Sequence, residues 1–399
     1  MDKKNKTPNV PNLRFSFEED WCTSTIGENF RLSSGLTPST KEKAYFNNGI
    51  IPWINSGELK NKYISFTENK LTLDAVKKHN LTIYPMDTMV IAIYGLEAAG
   101  VRGKASITKM DSTISQSCMA FNSLGNVLTQ FMYYVYKKEA QILGTRYAQG
   151  TKQQNLSSDL LSSYKLLYPS KEEQLKIVNF LSLIDEKIET QSKIIELKQS
   201  LIKDIEDKLL WKSASTYSRH ISDFLTELND KSKIQNQYPL LSSTKKGLFL
   251  QTDYFNKEAA SSNNIGYKIV HEGDIIISPQ NLWMGNITYN DKFVNGLVSP
   301  SYRIYKVKEE YNAYYISRIL MSYRALSLYK NISEQGASIV RRNLNVDAFN
   351  ELCFPIPNIK KQDEVSLFLS KLHQELNSEI EILRQLKNQK KYLLCNMFI

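Results

Sequence analysis

Two short clusters of polar and basic side chains occur at matching places in this sequence. The first follows Gly150 and comprises Lys152, Gln153, Gln154 and Asn155, and the second follows Gly336 and comprises Arg341, Arg342 and Asn343. Arginine, lysine, glutamine and asparagine can pair with purine edges in a major groove or hold backbone phosphates. Because such residues recur at one place in two copies, they favour a base-reading or phosphate-holding loop. A solvated loop without a function is the alternative.

Each cluster comes near the end of a module, and the two modules, 12–169 and 213–357, share landmarks in the same order. Apolar runs at 84–93 and 270–278 each follow a turn and predict a buried strand. Polar loops that contain glycine come next, at Tyr94–Lys104 and Pro279–Gly285, and helical patterns follow around Val127–Gln141 and Tyr311–Tyr329. The modules are therefore predicted to mix strands and short helices without regular βαβ alternation.

The elements that position these clusters form an internal repeat. A shift of 188 positions places Asn155-Leu156 on Asn343-Leu344 and Phe180-Leu181-Ser182 on Phe368-Leu369-Ser370. The same shift places Pro169 on Pro357 and Gln174 on Gln362, and no gap is needed from there to the last residue. A chain that repeats at this distance is predicted to be one structural unit written twice.

The second half of each copy has the heptad pattern of a long amphipathic helix. Its a and d positions are Leu181, Ile184, Ile188, Ile195 and Ile202 in the first copy and Leu369, Leu372, Leu376, Leu383 and Leu386 in the second. Polar residues interrupt the pattern at Gln191, Lys198, Glu379 and Lys390. Further apolar residues, such as Leu197 and Ile380, widen each stripe, so each helix is expected to have more than one neighbour.

Helix-start signals stand at equivalent places in the two copies. Ser170 with Glu173 three residues later has the pattern of a capping box, and Asn358 is a favourable N-cap. About 40 residues of helix would span roughly 60 Å, which is long for a core helix in a compact domain. Two such helices of equal length favour an antiparallel spacer over two ordinary core helices.

The predicted fold class is therefore α+β, with two mixed modules separated by two long antiparallel helices and related by a pseudo-two-fold repeat. The predicted divisions are a first module at 1–169, a first helix at 170–211, a second module at 212–357 and a second helix at 358–399.

Catalytic signatures are missing from the sequence. It contains no adjacent prolines, no GxG, no GxxxxGK phosphate loop, no GxSxG and no HExxH. The triplet Glu196-Leu197-Lys198 has the form of a nuclease acid-x-Lys motif, but it lies on the amphipathic helix. The chain is therefore predicted to be non-catalytic.

The amino-acid composition limits the class of partner and the cellular environment that are expected. Lys and Arg number 51 against 41 Asp and Glu, and this net charge of +10 fits a polyanionic partner. The four Cys and four His are scattered and form no CxxC pair, so neither a disulfide framework nor a structural zinc site is expected. The polar start of the chain, and the lack of an apolar run long enough to span a membrane, favour a cytoplasmic protein with reduced thiols.

Several stretches in order resemble the specificity subunits of type I restriction–modification systems. Near the start these are Trp21, Ile26-Gly27, Gly35-Leu36-Thr37-Pro38 and Ile51-Pro52-Trp53-Ile54. Later come Gly150 with Gln154-Asn155-Leu156, then Leu167-Tyr168-Pro169, Glu173-Gln174, Ile177, Leu181 and Asp185. The second copy departs from the pattern at Lys361 and His373, which replace Glu173 and Asp185, and this puts in doubt any specific role for those two acids.

The resemblance implies two target-recognition domains, each reading one half of a bipartite, asymmetric double-stranded DNA sequence, with the helices fixing the unread spacer. It implies docking of two methyltransferase subunits, which would use S-adenosylmethionine to modify adenine at N6. It also implies restriction subunits that translocate and cleave DNA with ATP and Mg²⁺. The cofactors would all be in the partner subunits and none in this chain.

On that basis a set of side chains is expected to face DNA. These are Tyr94, Arg102, Lys104, Lys152, Gln153, Gln154 and Asn155 in the first module, and Gln280, Asn281, Trp283, Arg341, Arg342 and Asn343 in the second, with Lys245 and Lys246 on phosphates. The rival interpretation is a coiled-coil scaffold that carries two protein-binding lobes.

Overall fold

The computed structural model describes residues 9–98, 100–147, 155–212, 218–245, 247–254, 263–335 and 342–399. The chain divides into two compact units, the first made of Met1–Thr190 with Ile382–Ile399 and the second of Gln191–Glu381. Each unit thus contains one module and a part of each long helix. None of the described helices is long and apolar enough to cross a membrane.

The module of the first unit contains ten strands and four short helices among its described residues. The strands are β1 (Cys22–Thr25), β2 (Phe30–Ser34), β3 (Ile51–Ile54), β4 (Tyr63–Ile64), β5 (Lys70–Leu71), β6 (Met89–Ala92), β7 (Ala105–Thr108), β8 (Thr113–Ile114), β9 (Cys118–Ser123) and β10 (Lys165–Tyr168). The helices are α1 (Ile26–Asn29), α2 (Leu73–Lys78), α3 (Thr129–Ile142) and α4 (Ser158–Ser162). A five-stranded sheet has the order β2-β9-β6-β7-β4, a three-stranded sheet has the order β5-β3-β8, and β1 pairs with β10.

The first long helix, α5 (Lys171–Asp207), begins two residues after Pro169. The module of the second unit then contains β11 (Ser218–His220), β12 (Leu225–Leu228), β13 (Leu241–Thr244), β14 (Gly247–Leu250), β15 (Lys268–His271), β16 (Ile275–Ile277), β17 (Ile287–Tyr289), β18 (Asn295–Val298), β19 (Arg303–Val307), β20 (Ser333–Gln335), β21 (Arg342–Leu344) and β22 (Cys353–Pro355). Its helices are α6 (Ile221–Phe224), α7 (Gln251–Tyr254), α8 (Ala313–Leu320), α9 (Tyr323–Asn331) and α10 (Val346–Asn350), and α11 (Ile359–Asn396) is the second long helix. The largest sheet has the order β12-β19-β16-β17, and β11 pairs with β22.

Both buried strands expected from the sequence are present. All four residues of β6 and all three of β16 are buried, so each strand is the central apolar element of its module. Turns with a positive φ precede them, at Asp87 (63°) and Gly273 (88°). The mixed α/β fold predicted for the modules is confirmed.

One helical pattern differs from its prediction. The stretch around Tyr311–Tyr329 forms two helices, α8 and α9, and not one. Ser322 separates them because its hydroxyl accepts a hydrogen bond from the Ala325 N–H and caps α9. The apolar spacing continues across the break, so periodicity alone does not reveal it.

The a and d positions of the long helices are largely buried. In the first unit, Leu181 and Ile184 pack in one core with Leu393 of α11 and with Met397 and Phe398, which follow its last residue. In the second unit, Ile195, Ile202, Leu369 and Leu376 are buried, and Leu372 packs against the core. Ile188 packs against the core of the first unit, whereas Leu383 and Leu386 are half-buried.

The polar residues that interrupt the heptads pair with other polar side chains of the long helices. In the second unit the Gln191 side-chain amide donates to the Glu379 carboxylate at 2.6 Å, and the Lys198 ammonium group donates to the same carboxylate at 2.8 Å. In the first unit the Lys390 ammonium group forms an ion pair with Asp185. Residue numbers rise along α5 as they fall along α11, from Gln191–Glu379 to Glu206–His373, so the helices run antiparallel in this unit.

A buried glutamine fixes the start of each long helix. The Gln174 side chain accepts from the Leu128 N–H at 2.8 Å and donates to the Pro169 carbonyl at 3.0 Å. The Gln362 side chain likewise accepts from the Asn312 N–H at 2.9 Å and donates to the Pro357 carbonyl at 2.7 Å. The sequence repeat at this position is therefore also a structural repeat. In each unit the glutamine side chain links the start of the long helix to the residue before a module helix, α3 in the first unit and α8 in the second.

The two helix starts differ in their caps. Asn358 accepts from the Lys361 N–H at 3.0 Å, as predicted. The Ser170 hydroxyl accepts from the Glu173 N–H at 3.5 Å, but the Glu173 carboxylate does not complete a capping box. It accepts two hydrogen bonds from Arg14 instead, because a guanidinium with two parallel donors is a stronger partner than one backbone N–H.

Candidate nucleic-acid interface

In the first unit, the end of the first polar cluster lies beside the central strand β6. The Leu156 N–H donates to the carbonyl of Ile93, the residue after β6, at 3.0 Å. Asn155 is half-buried, and its side-chain oxygen has no hydrogen-bond partner among the described residues. Tyr94 follows Ile93 and is 39% exposed. Lys152, Gln153 and Gln154 lie outside the described residues.

A related contact occurs in the second unit, at a position two residues earlier in the repeat, because the shift of 188 places Leu156 on Leu344 and not on Arg342. The Arg342 N–H donates to the carbonyl of Gln280, in the loop that follows the central strand β16, at 3.2 Å. Arg342 begins β21, which pairs with β20 so that Arg342 lies opposite Gln335 and Asn343 lies opposite Glu334. Arg341 lies outside the described residues. In both units, therefore, a residue in or directly after the polar cluster is bonded to the chain that follows the central buried strand.

Within the second unit the predicted site residues have two different environments. The Arg342 guanidinium lies over the Trp283 ring, 5.6 Å from its centroid, and donates to the Ser333 carbonyl at 3.0 Å. Gln280 and Asn343 are exposed. Arg342 and Trp283 thus support the loop and the hairpin, whereas Gln280 and Asn343 present polar groups on the surface.

Arg342 and Trp283 also carry unused donors. The Arg342 Nε and the Trp283 Nε1 are buried and have no hydrogen-bond partner among the described residues. A buried donor without a partner costs roughly 1–3 kcal/mol, so a bound acceptor at this place would relieve that cost.

The remaining predicted residues of the first unit have backbone partners or partial burial. The Arg102 guanidinium donates to the Leu96 carbonyl at 2.7 Å and to the Glu97 carbonyl at 3.2 Å, so it closes its own loop. Its side chain also requires a glycine at position 144, where an added Cβ would lie 2.8 Å from the Arg102 Cγ. Lys104 is half-exposed. DNA contacts by Arg102 and Lys104 stay a prediction.

The other candidates of the second unit lie on separate loops. Lys245 is exposed at the turn between β13 and β14, and Lys246 lies outside the described residues. The Asn281 carbonyl accepts from Met284 at 3.1 Å and from Asn286 at 3.2 Å, and this shapes the loop that presents Gln280. The structure thus joins Gln280, Asn281, Trp283, Arg342 and Asn343 in one region and leaves Lys245 on a different hairpin.

A polar cluster between the module and the helices of the first unit was not identified from the sequence. The Lys62 ammonium group donates to the Tyr134 hydroxyl at 2.8 Å and to the Ser182 hydroxyl at 2.7 Å. Tyr134 in turn donates to the Asp185 carboxylate at 2.7 Å, and Asp185 forms the ion pair with Lys390. Burial lowers the pKa of Lys62 to about 8. The hint in the sequence is that Lys390 interrupts the apolar stripe of the second long helix.

The second unit has a counterpart with other residue types. His373, which replaces Asp185 in the repeat, lies 3.1 Å from the Tyr314 hydroxyl through Nδ1 and 3.6 Å from the Glu206 carboxylate through Nε2. Glu206 also accepts from Arg318 at 2.7 Å. Burial, followed by the charge of Arg318, lowers the pKa of His373.

This cluster predicts a pH dependence of stability. Because the pKa of folded His373 lies below its unfolded value of about 6.5, the unfolded chain takes up the proton first and stability falls as the pH drops through about 6.5. We expect His373→Gln to reduce this loss of stability, because the glutamine side chain does not titrate. Urea unfolding of both proteins at about pH 8 and pH 5.5 tests this, and parallel losses in the two would contradict it.

No group of three metal-binding side chains was found among the described residues, and the four cysteines are free. The described part of the candidate interface consists of amide, amino, guanidinium and aromatic groups, some in each unit. Such groups bind by hydrogen bonding and stacking.

Comparison with known proteins finds a family to which part of the chain is similar. Residues 18–199, a little under half of the chain, match the family model of the type I restriction modification DNA specificity domain. The first half of the chain is therefore similar to the specificity domain of type I restriction–modification systems, and the resemblance predicted from the sequence is confirmed.

Two curated relatives are specificity subunits. The chain is 31% identical over 190 residues to the type I restriction enzyme MjaIX specificity subunit of Methanocaldococcus jannaschii, covering 46% of this chain and 42% of that protein. It is 27% identical over 169 residues to the EcoR124I/EcoR124II specificity subunit of Escherichia coli, covering 42% and 41%. The matches therefore span less than half the length of these relatives.

A likeness of fold extends along the whole chain. The crystal structure of a type I restriction–modification S subunit from M. genitalium aligns with a TM-score of 0.58 at 17% identity, and covers 98% of this chain and 99% of that one. At this identity the match concerns the fold alone. It agrees with the two mixed modules and two long helices described above.

Proposed function

We propose that this chain is the DNA-specificity subunit of a type I restriction–modification complex. Each module would read one half of a bipartite, asymmetric sequence in double-stranded DNA, and the long helices would set the unread spacer. The observation that carries the proposal is that in both units a residue in or directly after the polar cluster bonds to the chain that follows the central buried strand, at Leu156–Ile93 and at Arg342–Gln280. Linking two readers makes the second binding event intramolecular and raises the affinity for a correctly spaced site.

We further propose that the chain is non-catalytic and docks two methyltransferase subunits on its long helices. Those subunits would carry S-adenosylmethionine and modify adenine at N6, and restriction subunits would use ATP and Mg²⁺. The exposed apolar side chains on the helices support docking. Leu197 and Leu201 of α5 are 71% and 58% exposed, and Ile380 of α11 is 41% exposed. Apolar side chains one turn apart on an exposed helix face mark a surface for another protein.

Mapping of modified adenines across the host genome tests the proposal. We expect a split methylated motif to disappear when the gene for this chain is deleted and to return when the gene is restored. Purification of the intact chain should yield the methyltransferase as a co-purifying protein, at two copies per chain. Unchanged methylation in the deletion strain, with an active methyltransferase present, would favour a scaffold that carries two protein-binding lobes.

A further inference from the structure

The first unit contains an N-terminal strap, residues 9–21, that covers the start of α5. Arg14 donates to both oxygens of the Glu173 carboxylate at 2.8 Å, and Glu173 is only 1% exposed. Phe15 packs edge-on against Phe180, with the ring centroids 5.8 Å apart, and the Lys176 ammonium group lies over the Phe15 ring. A basic residue, Arg14, and the aromatic residue after it, Phe15, thus pack against the first turns of α5.

The repeat places a different set of side chains at the start of α11. Lys361 stands where Glu173 does, Glu364 where Lys176 does, and Phe368 where Phe180 does, so the charge order is inverted and the aromatic residue is kept. The buried Gln174 and Gln362 anchor the two helix starts in the same way, so these positions are structurally equivalent. Phe368 is 48% exposed, and its neighbour Leu367 is 61% exposed. Lys361 and Glu364 are exposed and pair with each other at 3.4 Å.

We propose that the start of α11 in the second unit, Lys361, Glu364, Leu367 and Phe368, is a docking site for an extended segment of a partner protein. The strap supplies the template for the occupant, which would carry an aromatic residue that packs on Phe368. The residue before this aromatic residue would be acidic. It would lie against Lys361 in the way that Arg14 lies against Glu173 in the first unit, and Lys361 has the opposite charge to Glu173. The proposal does not depend on DNA recognition by the chain.

The same charges argue against a second copy of this chain as the occupant. The strap of a second copy would bring Arg14 against Lys361, and two like charges in contact oppose binding. The Lys361–Glu364 pair is exposed on both sides, so it holds Lys361 only weakly and leaves it available to a partner carboxylate.

Two synthetic peptides test the proposal against the full-length chain by fluorescence anisotropy. One is the strap sequence of residues 9–21, and the other is the same peptide with the substitution R14E. We expect the R14E peptide to bind about fivefold more tightly than the natural one, and Lys361→Glu to reverse the preference, because exposed charge pairs have effects of this size. Phe368→Ser should weaken binding of the R14E peptide about tenfold.

Val294→Ser is the matched control, because Val294 is a more exposed apolar residue of the same unit, at 70%, and lies directly before β18, outside the proposed site. Binding of the R14E peptide should be unchanged in this variant. Equal binding of both peptides, or a preference that Lys361→Glu leaves as it was, would overturn the proposal, as would the absence of binding at millimolar peptide. Self-association of the chain that Phe368→Ser abolishes, measured by sedimentation, would show a second copy as the occupant and would also overturn it.

Discussion

Replacement of Gln280 or Asn343 by alanine is expected to relax the recognised DNA sequence at one position of one half-site. Both side chains are exposed, and the backbone bond from Arg342 to Gln280 holds the hairpin of Asn343 against the loop of Gln280. Glutamine and asparagine amides pair with the adenine edge in the major groove, and the loss of one such contact costs about 1–3 kcal/mol. Either variant should therefore bind its target about 5- to 150-fold more weakly and tolerate another base at that position.

The measurement is a methylation map of cells that contain each variant, together with binding to target duplexes that differ at single positions. Glu334→Ala is the matched control, because Glu334 is exposed on the same hairpin and lies opposite Asn343. This variant should keep the motif unchanged. If all three variants methylate the same sequence with the same affinity, this hairpin does not read the bases.

A phosphate contact has a different signature. Lys245→Ala should weaken binding to all sequences alike and lower the slope of log affinity against log salt by about 1, without a change of motif. Arg342→Ala should reduce binding to every sequence as well, because the guanidinium holds the hairpin through Ser333 and Trp283. Relaxed recognition at a single base position is therefore expected only for the variants of the exposed amides, Gln280 and Asn343.

The helices and the repeat could be predicted because their signal is dense and local. Apolar residues at heptad spacing define both long helices, and the pairs Gln174–Gln362 and Pro169–Pro357 mark the same point in each copy. The sequence shows that polar residues interrupt the heptads, but it does not show which side chains they contact. That Gln191 and Lys198 both meet Glu379 depends on how an antiparallel partner is aligned, and no pattern within one helix specifies this.

The candidate site could be predicted by position but not by role. The sequence places Arg342 and Asn343 in one polar cluster, and only the packing of Trp283 and the carbonyl of Ser333 separates a supporting residue from an exposed one. Arg102 likewise has the right residue type, yet its partners are carbonyls of its own loop. Contacts of this kind join residues through the fold, so residue type and spacing do not determine them.

The Arg14–Glu173 pair leads to the largest stability effect that we predict. Glu173 is 1% exposed and Arg14 12%, and the two join residues 159 positions apart. Removing one partner leaves the other charge unpaired in a buried environment. Arg14→Met or Glu173→Met alone should therefore each lower the unfolding free energy of the first unit by about 3 kcal/mol. The double variant should lose less than the sum of the two, because a buried pair can be replaced by apolar side chains at little net cost.

Lys361→Met provides the internal control, since Lys361 occupies the repeat-equivalent position and forms only an exposed pair with Glu364. Its effect should stay within about 0.5 kcal/mol. Chemical denaturation followed by tryptophan fluorescence measures all four variants, and Trp21 reports on the pair directly because its Nε1 lies 3.4 Å from Glu173. Additive losses in the double variant would mean that Arg14 and Glu173 act separately. If Lys361→Met lost as much unfolding free energy as Arg14→Met, the buried contact with the strap would not be the reason for the loss at Glu173.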